Sequence, residues 1–219
     1  MKLGVFDSGI GGEAIAASLN DAFTHAEIIT VNDREHVPYG DKSQSDIIRL
    51  TNTALQPLLK SHCDIIIIAC NTATAVAIEW LRASYPSQTF IGLEPMIKPA
   101  TQLTKTNTIA ICATPATLDS DSYKNLKTTF AQDTACLEPD CSSWASMIEQ
   151  NNLSQPVIEQ TILRALDRNA DVIVLACTHY HWIREIIERV ARDRAVIIDP
   201  STAIIERVRY LTRAAAQPQ

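Results

Sequence analysis

One heptapeptide occurs twice in this chain, and that repetition limits the possible folds more than any other feature. Asp64-Ile-Ile-Ile-Ile-Ala69-Cys70 is echoed by Asp171-Val-Ile-Val-Leu-Ala176-Cys177. Each copy is an acid, four β-type apolar residues, alanine and cysteine, and the copies lie 107 residues apart. Asp7 and Thr114, each closing another apolar run, are separated by the same 107. A shared offset at two strand ends in each half points to duplication of one α/β unit.

Short runs rich in β-branched residues at 2–6, 27–31, 64–69, 89–93, 108–112, 171–176 and 195–199 alternate with helical patterns. That order predicts mostly parallel sheets, and the nearly uninterrupted apolarity of the runs predicts strands covered on both faces. One helix is expected to turn Ile47, Ile48, Leu55, Leu58 and Leu59 inward, capped by Ser43, Ser45 or Asp46. Others are expected over 72–84, 156–168, 182–192 and 202–211. The expected fold is α/β, with two similar domains related by a pseudo-two-fold axis and a site in the cleft between them. Residues 1–95 would form the first and 96–200 the second, with a helix over 201–219 packing back on the first. Residues 214–219 read as a frayed end.

A formal charge of −6 argues against a nucleic-acid or anionic-membrane partner, since both reward a basic footprint. The longest apolar run, 65–70, is strand-sized and far short of a membrane span. The first residues lack the core of a signal peptide. The six cysteines, in a chain of 219 residues, read as reduced thiols of a cytoplasmic protein rather than a disulfide scaffold.

In open parallel sheets ligands bind beyond the carboxyl ends of strands. Cys70 and Cys177 both fall there, followed by Asn71-Thr72 and Thr178-His179. A helix beginning at that point offers free N–H groups and a positive dipole end to a thiolate or a substrate carboxylate. A lone cysteine at a strand end is usually a small buried hydrophobe; two at equivalent positions of a repeat suggest chemistry. If the halves face each other, each supplies one thiol, which is what inversion of a stereocentre by proton transfer requires. An unperturbed thiol, with a pKa of about 8.5, serves as acid or base near neutrality. Asp7-Ser8-Gly9-Ile10-Gly11-Gly12 adds a turn where backbone can approach a ligand. It lacks the spacing of a nucleotide-binding loop. Cys63, Cys112, Cys136 and Cys141 read as structural, and Cys136 with Cys141 lacks a companion pair for zinc.

Together these residues resemble the glutamate racemases of the aspartate/glutamate racemase superfamily, nearly end to end. The likeness runs from Gly4–Gly12 through Asp33 to Pro38-Tyr39-Gly40, then Ala69-Cys70-Asn71-Thr72-Ala73 and Gly92-Leu-Glu94-Pro95-Met-Ile-Lys98-Pro99-Ala100. It continues through Ala113–Thr117, Ala176-Cys177-Thr178-His179-Tyr180 and Ile198-Asp199. The resemblance implies a racemase that inverts glutamate with no cofactor and no metal, supplies D-glutamate for peptidoglycan and forms a homodimer. It implies that Cys70 and Cys177 are catalytic, with Asp7 assisting the first, His179 the second, and Glu149 also taking part. Asp7, Ser8, Tyr39, Gly40, Asn71, Thr72, Thr114, Thr117, Thr178 and His179 would bind substrate. None of these positions is Lys or Arg, so dianionic glutamate would be held by neutral donors, each charge-assisted bond contributing roughly 1.5–3 kcal/mol.

Plainer roles stand beside these. Asp7 could cap the next helix, His179 could be an exposed helix-start residue, Thr114 and Thr117 fit an ordinary helix start, and Glu149 could be a solvated acid. His181-Trp182-Ile183 replaces the proline and aliphatic pair usual in the family, which bears on the second wall of the site. Aspartate as substrate, a non-catalytic glutamate-binding role and thiol redox chemistry are the alternatives, although the chain has no C-x-x-C pair.

Overall fold

The computed structural model describes residues 1–216, with side chains through residue 213. Strands β1 (Lys2–Asp7), β2 (Glu27–Asn32), β3 (Ile65–Ile68) and β4 (Thr89–Gly92) form one parallel sheet in the order β2-β1-β3-β4. Strands β5 (Thr108–Ala113), β6 (Ala135–Leu137), β7 (Val172–Ala176) and β8 (Val196–Ile198) form a second parallel sheet in the order β6-β5-β7-β8. The two orders are the same, so the duplicated heptapeptide marks the same inner strand of two like units. Helices α1 (Gly12–Ala22), α2 (Gln44–Lys60) and α3 (Asn71–Ser84) belong to the first half. The second half carries α4 (Ile97–Leu103), α5 (Pro115–Asp119), α6 (Asp121–Phe130), α7 (Trp144–Glu149), α8 (Gln155–Leu166) and α9 (Arg184–Ala191), and α10 (Ser201–Ala216) follows.

The all-apolar strands are explained by helices on both faces of each sheet. Successive residues of β3 alternate. Ile66 and Ile68 pack with Ile47, Leu55 and Leu58 of α2 and Leu81 of α3. Ile65 and Ile67 pack with Ile15 and Leu19 of α1 and with Ile204 and Val208 of α10. In the second sheet Ile173 and Leu175 face Trp144, Ile158 and Ile187, whereas Val172 and Val174 face Ile97 and Tyr123. The acids that open the heptapeptide lie at the opposite end from the cysteines. Asp64 accepts from the Lys2 N–H at 2.7 Å, and Asp171 from those of Lys105 and Thr106 at 2.6 and 3.1 Å.

Strand register amends one sequence expectation. Ile65 and Val172 keep the offset of 107, but their β1 and β5 partners are Leu3 and Ile109, which are 106 apart. The counterpart of Asp7 is therefore Ala113, and Thr114 answers to Ser8. One edge strand, β6, was not anticipated, because three residues carrying one β-type side chain give no periodic signal. The helix expected over 182–192 begins at Arg184, since Thr178–Ile183 winds as a 3-10 turn. Helix α10 runs to Ala216, so 214–216 are helical, and 217–219 lie outside the described residues. Among the described residues no helix is long and apolar enough to cross a membrane.

The chain passes between the halves twice, from β4 into α4 and from β8 into α10. Both passages line one cavity of about 330 Å³, through Gly92, Pro95 and Pro99 on one side and Pro200 and Ala203 on the other. Ile204, 3% exposed beneath the second passage, packs α10 to the first sheet. Ile204→Ala should cost about 2–5 kcal/mol by leaving a cavity, read as a lower urea midpoint with an unchanged slope.

Candidate active site

The candidate residues named from the sequence gather at the carboxyl edges of the two sheets, where the halves meet; most stand on loops or helix starts, Asp7 is the last residue of β1 and Glu149 the last of α7. Cys70 follows β3 and is the N-cap of α3; its sulfur accepts from the Ala73 N–H at 3.4 Å. Ser8, just past β1, places its hydroxyl 3.1 Å from the same sulfur. Cys177 follows β7, and its sulfur lies 3.6 Å from Nδ1 of His179. Both cysteines are buried, at 5% and 7% exposure.

A line of contacts joins the two sulfurs. Ser8 at Cys70 is the neighbour of Asp7, and Asp7 accepts at 2.8 Å from the hydroxyl of Thr178, the neighbour of Cys177. Asp7 also accepts from the Gly9 N–H at 2.8 Å, so it shapes the Gly-rich turn as well as bridging the halves. That turn needs glycine. A Cβ at Gly11 would lie 2.4 Å from Thr178 Oγ1, and one at Gly9 would lie 2.1 Å from Glu149 Oε1.

Glu149, at the end of α7, accepts from Nε2 of His179 at 2.5 Å and from the Ile10 N–H at 2.9 Å. It is therefore a second bridge between the halves and not a solvated acid. His179 is 3% exposed, which rules out the exposed helix-start role. A third bridge joins hydroxyls: Thr72 of α3 lies 2.9 Å from Thr114, which lies 3.0 Å from Thr117. Thr114 also caps α5 by accepting from the Thr117 N–H, so its plain role and its place in the site coexist. Gly40 packs against Thr114, where a Cβ would come within 2.9 Å. Tyr39 shares a core cluster with Cys70. Asn71 is 2% exposed, yet neither polar atom of its amide has a protein partner. A buried amide in that condition costs about 1–3 kcal/mol.

The two thiols sit in different fields. Burial and then the nearby charge of Asp7 push the Cys70 thiol up to about 12, against the hydrogen bonds from Ser8 and Ala73. At neutral pH this group holds its proton. Asp7 itself is raised, because complete burial outweighs the help of His179, Gly9 and Thr178. Burial alone would lower His179, but hydrogen bonds to Cys177 and Glu149 and the charges of Cys177 and Asp7 raise it to about 11. Burial opposes the charge on Glu149, but the His179 and Ile10 hydrogen bonds hold its carboxyl below the usual range. His179 therefore stands as an imidazolium between a carboxylate and the Cys177 sulfur.

Sequence reasoning gave no role to Asp33 or to the Ile10 N–H. Asp33 accepts the Tyr39 hydroxyl at 2.7 Å; the available signal was its place in the motif that leads to Pro38-Tyr39-Gly40. The Ile10 contact is a backbone contact across the halves and leaves no mark in side-chain type. The remaining cysteines lie in the hydrophobic clusters, and all six are unpaired. Among the described residues no group of three or more His, Cys, Asp or Glu is arranged to hold a metal ion.

Two like α/β units presenting paired thiols across a shared edge define a class, and residues 12–208 match it: this chain belongs to the Asp/Glu/Hydantoin racemase family. Within that family its similarity is to glutamate racemases. It is 36% identical over 219 residues to the glutamate racemase of Aliarcobacter butzleri (strain RM4018), covering 97% of this chain and 84% of that protein. The Francisella tularensis subsp. tularensis SCHU S4 glutamate racemase, solved with D-glutamate, superposes with a TM-score of 0.82 at 29% identity, covering 98% of this chain and 82% of that one. The Escherichia coli glutamate racemase, solved with L-glutamate and the activator UDP-MurNAc-ala, gives 0.86 at 25% identity, covering 96% and 81%.

The raised His179 has a consequence for stability. Folding binds its proton more tightly than the ordinary value of 6.5, so the contribution is complete below that pH and drains away as pH climbs toward about 11. Urea unfolding should lose stability across this window in the native chain, and His179→Gln should flatten that part of the slope.

Proposed function

We propose that this protein interconverts L- and D-glutamate by moving the α-proton between Cys70 and Cys177 without a cofactor, and so supplies D-glutamate for peptidoglycan. The reading rests above all on two sulfurs placed at register-equivalent strand ends of two facing sheets and joined through Ser8, Asp7 and Thr178. Glutamate as substrate rests on the glutamate racemases to which the chain is similar.

In one direction the Cys177 sulfur, as a thiolate, takes the α-proton from one face of Cα. Cys70 then delivers its own proton to the opposite face. The C–H electron pair stays on Cα between the two steps, and the new C–H bond has inverted configuration. One proton leaves the carbon and one returns; Cys177 ends with a proton and Cys70 without one, and proton exchange with water restores the starting state before the next turnover in that direction. His179, held by Glu149, stabilises negative charge on the Cys177 sulfur and passes protons to and from it. On the other side burial, helped by the charge of Asp7, keeps the Cys70 proton in place. For the reverse reaction Cys70 must lose that proton, with Ser8 as the hydrogen-bonding group in contact.

The unpaired Asn71 amide and the Thr72, Thr114 and Thr117 hydroxyls are neutral donors suited to the substrate carboxylates. The three bridges between halves hold the site closed, so substrate entry requires them to part. Each is a hydrogen bond of modest net strength, about 0.5–1.5 kcal/mol between neutral groups and about 1.5–3 where a carboxylate accepts, weak enough for binding energy to replace.

Incubation of L-glutamate with the protein, without pyridoxal phosphate, should take its circular dichroism to zero, whereas L-aspartate should remain optically active. A signal that persists with folded protein would defeat this reading. Cys70→Ala and Cys177→Ala should each lower turnover by about 10²- to 10⁴-fold, the scale of a lost general acid or base. Gly9→Ala should also lower kcat, because its Cβ would displace Glu149 and His179; stopped-time assays at saturating glutamate would measure the loss.

A further inference from the structure

Asp33 has no part in the proton transfers described above, yet it is fixed against the site more firmly than a loop acid needs to be. It follows β2 directly, and its N–H continues the sheet ladder by donating to the Asp7 carbonyl at 3.0 Å. Its backbone is thereby tied to the strand end that carries Asp7 and Ser8. Its carboxylate is held from two sides. Oδ2 accepts the Tyr39 hydroxyl at 2.7 Å, and Nδ1 of His36 lies 2.8 Å from Oδ1 and 3.1 Å from Oδ2. The Asp33 side chain is 11% exposed and that of His36 is 42% exposed, so the arrangement leads inward from the surface.

The Tyr39 phenol is the inner end of this chain. The residue is 1% exposed, packs against Phe6 with ring centroids 6.3 Å apart, and shares a core cluster with Cys70. Burial, the Asp33 hydrogen bond and the Asp33 charge raise its pKa far above the ordinary phenol range, so it remains a phenol. A phenol has one hydrogen and two lone-pair directions. The hydrogen is committed to Asp33, the one hydrogen-bond partner of that hydroxyl among the described residues. What remains for the site is an acceptor.

That restriction carries information about the substrate. An α-amino acid presents carboxylates, which need donors, and an ammonium, which needs acceptors. Ser8, Thr72, Thr114, Thr117 and Thr178 are hydroxyls able to do either, and Asn71 offers both kinds of atom. A phenol free to rotate would compete for the carboxylates as a donor.

We propose that Asp33 is a positioning residue: by taking the only hydrogen of the Tyr39 phenol, it fixes Tyr39 as an acceptor that receives the substrate ammonium beside Cys70. The ammonium assignment rests on the reading of the site as a glutamate racemase; the orientation of the phenol does not. His36 holds the carboxylate from its outer side and supports that orientation without touching the site.

The test combines two measurements on the native chain, Asp33→Ala, Asp33→Asn, Tyr39→Phe and the Asp33→Ala/Tyr39→Phe pair. Ultraviolet resonance Raman reports whether a tyrosine hydroxyl donates or accepts, and subtracting the Tyr39→Phe spectrum isolates Tyr39. The native difference should show a donor phenol, Asp33→Ala should abolish that signature, and Asp33→Asn, whose amide oxygen still accepts, should retain it. In racemization assays Asp33→Ala and Tyr39→Phe should each raise KM about tenfold with little change in kcat, the scale of one hydrogen bond. The double variant should be no worse than Tyr39→Phe alone, and Asp33→Asn should restore KM to near the native value.

A donor signature that survives Asp33→Ala would overturn the proposal. So would an Asp33→Ala effect on KM that is undiminished when Tyr39 is already phenylalanine, because Asp33 would then act by another route. A native chain that racemizes no glutamate would sink the functional reading and the ammonium assignment with it, while the Raman result would still decide whether Asp33 orients the phenol.

Discussion

Asp7 accepts a hydrogen bond from Thr178 of the other half while its whole side chain is buried, and the placement of both thiols follows from that contact. Burying a carboxylate away from water is costly unless several donors meet it. Here the donors are the Gly9 N–H and the Thr178 hydroxyl, one from each side of the cleft. The glycines of the turn let the backbone come close enough to provide one; the close approach of Gly11 to Thr178 brings in the other. Ser8 and Thr178, the two residues next to the thiols, are thereby held in a fixed relation. The carboxylate also acts on the chemistry, since its charge adds to burial, the larger cause, in keeping the Cys70 proton from leaving.

The duplication that builds the site does not make it symmetric. Register pairs Asp7 with Ala113, and the equivalence of the cysteines pairs Thr72 with His179. One thiol therefore faces a carboxylate and the other an imidazolium. In two identical fields both thiols would tend to the same protonation state, and a proton relay needs one empty and one filled. Divergence at two positions per half is enough to give the two thiols unlike surroundings.

Much of the fold could be read from the chain because parallel strands buried on both faces leave long apolar runs, and the heptapeptide shows where the second unit begins. What escaped notice was short or local. Strand β6 has three residues, and the single-residue slip between β1 and β5 is invisible until strands are paired. The gathering of Asp7, Ser8, Cys70, Thr114 and Cys177 at one edge was foreseeable from strand ends, since that is where a parallel sheet leaves loops and helix starts; Tyr39, Gly40 and Glu149 were legible only through the family resemblance. Their partners were not. The Ile10 contact is made by backbone, the Thr72–Thr114 contact joins positions far apart in sequence, and Asp33 stood in the family motif with nothing to name its partner. Hydrogen bonds between separate halves depend on how those halves are set against each other, and no local pattern encodes that.

Two segments of chain, after β4 and after β8, run side by side from one half to the other. A single tether would let the lobes twist and slide freely. A pair lying together resists torsion and lateral slip while permitting the edges opposite them to swing apart, as the covers of a book do about its spine. The thiols would then separate and return along one arc, so a proton donor and a proton acceptor that have been parted to admit a substrate come back to the same alignment on each cycle.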